Sequence, residues 1–230
     1  MNPYNNEVLD FSARTNSKHN PYQVVKDFEF ALAEFVGSKH AVAVDNCTNA
    51  LFLCCYYSKV QEVTIPAKTY VSVPSAIIHA GGSVKFEHVD WEGSYQLKPY
   101  PIYDSACQLC RGMYVPGTLQ CISFSGNKPI KIGKGGMIFT DDDAANEWFR
   151  LARYEGRHEI PLMEDNFQML GWNMYMTPEQ AARGLVLAAY LKDINIIHPV
   201  YPDLSRFEVF NGVQCTPQPT TTPQNSSQST

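Results

Sequence analysis

The sequence predicts an α/β fold with a mostly parallel sheet, because short apolar runs alternate with segments of helical periodicity. The apolar runs have the length and composition of buried strands. They lie at 41–44, 63–66, 84–86, 101–104, 119–124 and 137–140. Polar residues follow several of these runs, at the strand ends where open α/β sheets place their ligands.

The length and charge of the chain limit the kinds of protein it can be. With 230 residues and 44% hydrophobic content, it can bury one full core with at most a small appendage. The net charge is -5 and the 18 Lys and Arg residues are scattered, which argues against a nucleic-acid partner. No run of eighteen apolar residues occurs, and residues 1–6 do not resemble a signal peptide. We therefore expect a soluble, cytoplasmic protein that binds no membrane.

The first half of the chain begins with a helix and a possible anion site. Asn20-Pro21 is typical of a helix start, and an apolar face over 24–35 stops at Gly37. After the strand 41–44, a polar turn opens a second helix that continues to Tyr57. Thr48 lies at the start of this helix, where free backbone N–H groups favour an anion. A plain capped helix is the alternative, since Thr and Asn are common caps.

Further helices are predicted after the strands. One covers 71–80, and a second covers 144–153 behind an acidic cap at 141–143. A third, over 181–191, follows the capping-box pattern Thr177–Gln180. It is apolar almost all round, so it is either deeply buried or part of a subunit interface.

The domain organisation follows from composition. Residues 1–19 are polar and patternless, which predicts a flexible arm. Residues 20–212 contain all the periodic segments and form the predicted domain. Residues 213–230 end in a tract of only Thr, Pro, Gln, Asn and Ser, which cannot bury a core and is expected to be disordered.

One stretch combines a lysine with glycines between two strand-like runs. Ser123–Lys128 follows the first run, and Gly133–Gly136 precedes the second. A desolvated lysine can form a Schiff base with a carbonyl compound, and nearby glycines allow a bulky ligand to approach the backbone. An exposed hairpin with solvated lysines explains the same residues equally well. A phosphate-binding P-loop does not, because the glycine spacing is too long and Gly135 follows Lys134.

The seven cysteines form an odd set within mostly apolar runs, which predicts reduced thiols rather than disulfides. Cys107 and Cys110 make a single C-x-x-C pair. Without a second pair this pattern is a weak zinc signal, and buried structural cysteines are the favoured interpretation.

The lysine stretch resembles a family motif. Its spacing matches the large domain of the fold-type I, pyridoxal-phosphate-dependent sugar aminotransferases of the DegT/DnrJ/EryC1/StrS family, which includes perosamine-synthase-like enzymes. The resemblance implies a three-layer fold, Lys128 as the Schiff-base lysine and Ser123 as a phosphate ligand. Lys134 departs from the pattern, because it stands where the family has glutamate.

Two earlier segments resemble other family motifs. Residues 46–51 resemble the phosphate turn, with Thr48 retained and Cys47 in place of a glycine. The resemblance implies that both residues contact the cofactor phosphate. Residues 66–71 resemble a segment that places an aromatic side chain, here Tyr70, over the pyridine ring.

Three further roles are implied by the resemblance. Asp104 matches the aspartate that pairs with the ring nitrogen. Gln108 is assigned to the cofactor oxygen, although it comes one residue late because Cys107 occupies the matching position. Asn173 matches an asparagine that reaches across a dimer to the neighbour's cofactor, while Tyr175 stands where an arginine is usual.

The resemblance implies a homodimeric enzyme that uses pyridoxal 5'-phosphate. It would move an amino group from a donor such as glutamate to a keto group of a nucleotide-linked sugar. Lys128 would act as general base, and an ionised Asp104 would keep the ring nitrogen charged. A related sugar dehydratase is less favoured, since such members replace the lysine.

A catalytically silent binding or assembly protein is the competing hypothesis. The substitutions at Cys47, Lys134 and Tyr175 favour it. So does the short sequence after Leu191, where the resemblance would place a small C-terminal domain that we expect to be largely absent.

Overall fold

The computed structural model describes residue 20 and residues 22–210. The predictions for residues 1–19, Pro21 and residues 213–230 lie outside the described part. The helices of that part are α1 (Gln23–Val36), α2 (Cys47–Tyr57), α3 (Ser72–His79), α4 (Asp143–Arg153) and α5 (Pro178–Ala188). The strands are β1 (His40–Val44), β2 (Glu62–Pro66), β3 (Ser83–Glu87), β4 (Tyr95–Gln96), β5 (Ile102–Asp104), β6 (Leu119–Ser123) and β7 (Gly136–Thr140). Short 3-10 turns cover Leu162–Glu164, Leu204–Arg206 and Glu208–Phe210.

The sheet confirms the α/β class but not the mostly parallel pairing. Five strands pair in the order β1-β7-β6-β5-β4, and β2 and β3 form a separate parallel pair. Although β1, β5 and β6 run in one direction, β7 is antiparallel to both of its neighbours and β4 is antiparallel to β5. The large sheet is therefore mixed.

β7 runs antiparallel to β6 because the connection between the two strands contains no crossover helix. A parallel neighbour for β6 would need a crossover that returns the chain to the starting edge of the sheet. Residues 124–135 contain no helix and double back instead, so that Ser123 pairs with Gly136 and Ile122 with Met137. The lysine stretch is this return loop.

Helices cover both faces of the sheet and make the predicted three layers. Val42, Val44 and Ile138 point to one face, where they pack with α2 and α4. Ala43 and Phe139 belong to the opposite core, which α1 and α5 close. The alternation follows from the two-residue period of a strand, which sends successive side chains to opposite faces.

Helix α1 begins later than predicted and ends where predicted. Its first residue is Gln23, and the side chain of Asn20 accepts a hydrogen bond from the backbone N–H of Tyr22 (2.9 Å). At the other end, Gly37 adopts φ +82° and its N–H bonds the carbonyl of Ala33, a left-handed C-terminal cap.

The prediction of deep burial for α5 was wrong. The Thr177–Gln180 capping box forms, but only Ala181 and Gly184 are buried along the helix. Gly184 lies directly on the ring of Phe28 in α1, where an added Cβ would come within 2.5 Å of Cζ. The other apolar side chains of α5 remain partly or largely exposed, including Val186 at 62%. The subunit-interface alternative stays a prediction.

Residues 193–210, which we call the strap, cross the ends of two strands. The carbonyl of Asn195 in the strap accepts a hydrogen bond from the N–H of Leu109 (2.8 Å). The N–H of Ile197 donates to the carbonyl of Cys107 (2.9 Å). Further on, the N–H of Leu204 bonds the carbonyl of Ala67 (2.8 Å). None of the helices in the described part is long and apolar enough to cross a bilayer.

Candidate functional site

A cavity of about 490 Å³ lies at the carboxyl ends of β2, β5 and β6 and at the start of α2. The strap contributes one side of it through residues 199–201. Six of the eight residues predicted to form a site line this cavity: Cys47, Thr48, Tyr70, Asp104, Ser123 and Lys128. The fold therefore gathers side chains that are up to 81 positions apart in the sequence.

The return loop directs Lys128 inward rather than into solvent. Its base is closed by two backbone hydrogen bonds, from Phe124 to the carbonyl of Gly135 (2.9 Å) and from Gly133 to the carbonyl of Phe124 (3.0 Å). Ile130 and Ile132, on either side of the loop's far end, are buried in the core. The loop is thus pinned by apolar contacts, and the exposed-hairpin alternative is wrong for Lys128, which is only 7% exposed.

The amine of Lys128 faces a thiol. Its Nζ lies 3.5 Å from Sγ of Cys107, a residue that is 1% exposed. Burial raises the pKa of the Cys107 thiol, and the neighbouring Lys128 opposes that shift. Cys107 is buried, as predicted, and it also forms part of the cavity wall.

Asp104 is buried at the end of β5. One carboxylate oxygen accepts a hydrogen bond from the hydroxyl of Tyr95 (2.8 Å), and the other accepts one from the N–H of Ala106 (2.9 Å). Burial raises the pKa of Asp104, and these two donors together with Lys128 act in the opposite direction. A cationic N–H placed against the carboxylate would stabilise its ionised form further.

The start of α2 forms a turn suited to an anion. Asn46 caps the helix by accepting a hydrogen bond from the N–H of Asn49 (2.8 Å). The hydroxyls of Thr48 and Ser72 are 2.7 Å apart, and Ser123 faces the same cavity from the end of β6. Hydroxyl donors at a helix N-terminus are the groups that bind phosphate in many proteins.

A close backbone contact fixes this turn against the first residue of β7. A Cβ added to Gly136 would lie 2.5 to 2.7 Å from the peptide atoms that join Asn46 and Cys47. Only glycine permits that approach.

The Cys47 thiol faces the same cavity. Burial, with a further contribution from Asp104, raises the pKa of this thiol well above its ordinary value, so the side chain stays protonated at neutral pH.

Aromatic side chains surround the cavity mouth. Tyr70 is 54% exposed and meets Tyr201 of the strap at 6.1 Å between ring centroids. Tyr201 also lies nearly parallel to Trp91, at 6.2 Å and 16° between ring planes. These rings offer apolar faces for a planar or sugar-like ligand.

Two predicted site residues lie outside the cavity. Gln108 does not line it; its position one residue beyond Cys107 turns it toward Gly93 instead. The placement of Gln108 on a cofactor oxygen stays a prediction. Asn173 also lies elsewhere and donates to the Glu155 carboxylate (2.8 Å). A role for Asn173 across a dimer stays a prediction.

Lys134 places a second lysine side chain at the edge of the cavity. Its ammonium is 3.6 Å from the carboxylate of Asp45, and its side chain is 63% exposed. It therefore differs from Lys128 in both burial and partner, although both lysines line the same cavity.

A second cavity, of about 520 Å³, lies between α1 and α4. Most of the charged side chains that line it are paired with one another or with neighbours. Arg150 bonds Glu29, His40 bonds Asp143, and Lys26 pairs with Glu159. We therefore assign chemistry to the cavity that contains Lys128.

The sequence reasoning missed the strap and the thiol. A signal for Cys107 existed, because it occupies the position three residues after Asp104 at which the motif calls for a cofactor ligand. No comparable signal marked Trp91 or Tyr201. Tyr201 reaches the cavity through the path of the strap, and Trp91 reaches it from the connection between β3 and β4.

The sequence profile described as the DegT/DnrJ/EryC1/StrS aminotransferase family matches residues 4–104 and 114–196. The chain belongs to this family. The match ends within the strap, so the residues of the strap that line the cavity lie beyond it.

Two relatives carry names that refer to perosamine synthesis and to polysaccharide biosynthesis. The chain is 28% identical to GDP-perosamine synthase of Caulobacter vibrioides over 206 residues, which cover 70% of this chain and 55% of that protein. It is 26% identical to the spore coat polysaccharide biosynthesis protein SpsC of Bacillus subtilis, over 74% of this chain and 57% of that protein. The chain thus spans a little over half the length of these relatives.

Solved structures share the fold. PseC of Helicobacter pylori, an aminotransferase involved in pseudoaminic acid biosynthesis, has a TM-score of 0.65 at 19% identity and covers 79% of this chain and 62% of its own. The sugar aminotransferase CalS13 of Micromonospora echinospora has a TM-score of 0.66 at 17% identity, covering 83% and 66%. At these identities the likeness supports the fold class of this chain.

Proposed function

We propose that this protein is a pyridoxal-phosphate-dependent aminotransferase acting on a keto group of a nucleotide-linked sugar, with an amino acid such as glutamate as donor. The observation that carries the proposal is the buried amine of Lys128 in a cavity that also contains the Asp104 carboxylate and the hydroxyls at the start of α2. Family membership and the names of the relatives support the reaction class.

The residues present fit the cofactor. Lys128 is a buried amine whose hydrogen bond, in the described part of the chain, goes to a thiol rather than to a carboxylate, so it is free to bind a carbonyl carbon. Asp104 is a buried carboxylate that a pyridinium N–H would stabilise. Thr48 and Ser123 supply hydroxyls for a phosphate near a helix N-terminus.

Pyridoxal phosphate supplies an electron-accepting ring when it is bound. Lys128 would hold its aldehyde carbon and, once released by the amino donor, would move a proton at the donor's alpha carbon. Asp104 would pair with the ring nitrogen and keep it protonated. Tyr70 and the strap's Tyr201 would keep water away from the reacting atoms.

A silent binding protein is the second candidate, and Lys134 is the residue that favours it. This cation stands where the family motif has a carboxylate, and it is paired with Asp45 rather than with a group inside the cavity. The two candidates differ in a single measurable property, which is whether an amino donor converts the bound cofactor.

The half-reaction tests the proposal. We expect the purified chain to acquire a visible absorption band on addition of pyridoxal phosphate, because Lys128 binds the aldehyde. Addition of glutamate should bleach this band as nitrogen passes to the cofactor, and addition of 2-oxoglutarate should restore it. A band that forms but does not respond to any amino donor would favour the silent protein, and no band at all would exclude the enzyme.

The cytoplasmic location and the homodimer are part of the proposal. Asn173 is exposed and lies outside the cavity of its own chain, which is compatible with a contact to the cofactor of a neighbouring chain. The exposed apolar side chains of α5 provide a surface on which a second copy could pack.

Mixing two inactive variants tests the shared site. We expect Lys128→Ala and Asn173→Ala to be impaired separately, and a mixture of the two, unfolded and refolded together, to recover activity. Recovery arises because a mixed dimer contains one site with Lys128 from one chain and Asn173 from the other. The matched control is the double variant mixed with Lys128→Ala, which should recover nothing. A monomeric, active wild-type chain would contradict the assignment.

A further inference from the structure

The contact between Cys107 and Lys128 permits chemistry that does not involve a cofactor. Their Sγ and Nζ atoms are 3.5 Å apart, and the two residues are 1% and 7% exposed. A thiol and an amine in such contact can be joined covalently once the sulfur is oxidised, because an oxidised cysteine sulfur is attacked by nearby nucleophiles, nitrogen included.

The surroundings leave the amine directed at the sulfur. Within residues 20 and 22–210, the hydrogen bond of Lys128 Nζ is the one to Cys107. The nearby carboxylate of Asp104 accepts from Tyr95 and Ala106 instead. The same sulfur has a second polar neighbour in the strap, the hydroxyl of Tyr201 at 3.7 Å. The sulfur is thus held between the strap and the lysine.

Access distinguishes Cys107 from most of the other buried thiols. Cys107 lines the 490 Å³ cavity, whereas Cys54, Cys55 and Cys121 are fully buried elsewhere in the core. Cys47 also lines the cavity, but within the part of the chain that the structure describes, Lys128 is hydrogen-bonded to Cys107 and not to Cys47. A small oxidant that enters the cavity therefore meets one thiol that has an amine as its partner.

We infer that Cys107 and Lys128 form an oxidant-sensitive modification site, in which a peroxide converts the pair into a covalent sulfur–nitrogen crosslink. The crosslink would block the amine that the proposed function assigns to the cofactor, so this consequence rests on that proposal. The crosslink itself does not.

The reaction balances with one equivalent of peroxide. The thiol sulfur attacks hydrogen peroxide, the O–O bond breaks, one oxygen stays on sulfur as a sulfenic acid and the other leaves as water. The lone pair of the uncharged Nζ then attacks Sγ, the S–O bond breaks, and its oxygen leaves with an amine proton as a second water. Sulfur has lost two electrons to the peroxide. The protein has lost two hydrogen atoms in total.

Peptide mass spectrometry of the full chain tests this inference. The protein is first dialysed against hydroxylamine, to remove any carbonyl compound from the lysine, and then treated with hydrogen peroxide. Trypsin cuts after Arg111 and leaves Cys107 and Lys128 on the separate peptides 86–111 and 112–131. We expect these peptides to appear joined, with a mass two hydrogens below their sum, and to separate after dithiothreitol.

Variants distinguish the crosslink from a disulfide, which has the same mass deficit. Peptide 86–111 also contains Cys110 and peptide 112–131 contains Cys121. The sulfur–nitrogen link should disappear in Lys128→Met and persist in the matched controls Lys131→Met and Cys110→Ser. A joined species that survives Lys128→Met would overturn the inference. So would oxidation of Cys107 in the wild type to sulfinic or sulfonic acid with Lys128 unmodified.

Discussion

Replacement of Lys128 by alanine is expected to abolish the visible band that pyridoxal phosphate forms with the wild-type chain and to lower transamination by at least about 100-fold. The 100-fold minimum is the usual rate contribution of one positioned proton-transfer group. Loss of the covalent attachment of the cofactor lowers the rate further. Absorbance titration and a coupled assay of the keto-acid product measure the two effects. Circular dichroism checks that the variant folds, because Lys128 is buried.

Lys134→Ala is the matched control, since the two lysines lie six positions apart in the same return loop. Lys134 is largely exposed and paired with Asp45, so its removal should leave the band in place. If Lys134→Ala lost the band and Lys128→Ala kept it, the roles of the two lysines would be reversed and the site assignment would be wrong.

The largest effect on stability is expected at the buried ion pair between α1 and α4. The Glu29 carboxylate accepts hydrogen bonds from Arg153, from Arg150 (2.9 Å) and from the N–H of Ala43 in β1 (2.8 Å). Glu29 and Arg153 are both almost fully buried. Glu29→Gln should lower the free energy of unfolding by about 3 kcal/mol, because it removes the most deeply buried carboxylate partner of Arg153 and leaves only the longer ion pair with Glu159 (3.3 Å).

The pH dependence of stability identifies the charge as the cause. Burial alone would raise the pKa of Glu29, but Arg153 and Arg150 outweigh it, so the net pKa is lowered from 4.5. A lowered pKa contributes stability above the unfolded-state value, and that contribution is lost as the pH falls below about 4.5 through the folded-state pKa.

Urea denaturation at several pH values makes the comparison. The wild type should lose this part of its stability on acidification, whereas Glu29→Gln should not. The control is Glu34→Gln, an exposed position on the same helix, for which we expect a change within about 0.5 kcal/mol. Equal destabilisation of both variants would show that the effect is not specific to the buried pair.

The periodic parts of the sequence predicted the local elements well. The helical face that ends at Gly37 and the capping box of α5 both formed, because such signals depend on interactions within a few residues. The lysine motif likewise indicated the cavity, since its glycines and strand-like flanks are encoded in one continuous stretch. The profile match places the chain in the family that this motif suggested.

Features that depend on distant parts of the chain were predicted less well. The pairing of β7 depends on how the return loop folds back on β6, which apolar patterning does not encode. The exposure of Val186 depends on which side of α5 packs on α1 at Gly184, and the sequence of α5, apolar almost all round, does not specify that side. In each case the deciding contact joins two different elements and is not encoded in the periodicity of either one.

The sequence by itself determined the α/β class, the order of elements and the family, and it proposed Lys128 as the reactive lysine, because each of these depends on local patterns or on spaced motifs. Only the tertiary structure decided which side chains surround Lys128. Cys107 reaches Lys128 because β5 and β6 are neighbours, and Tyr201 joins them because the strap is hydrogen-bonded across the strand ends. Such contacts follow from the packing of the whole chain and leave no periodic trace in it.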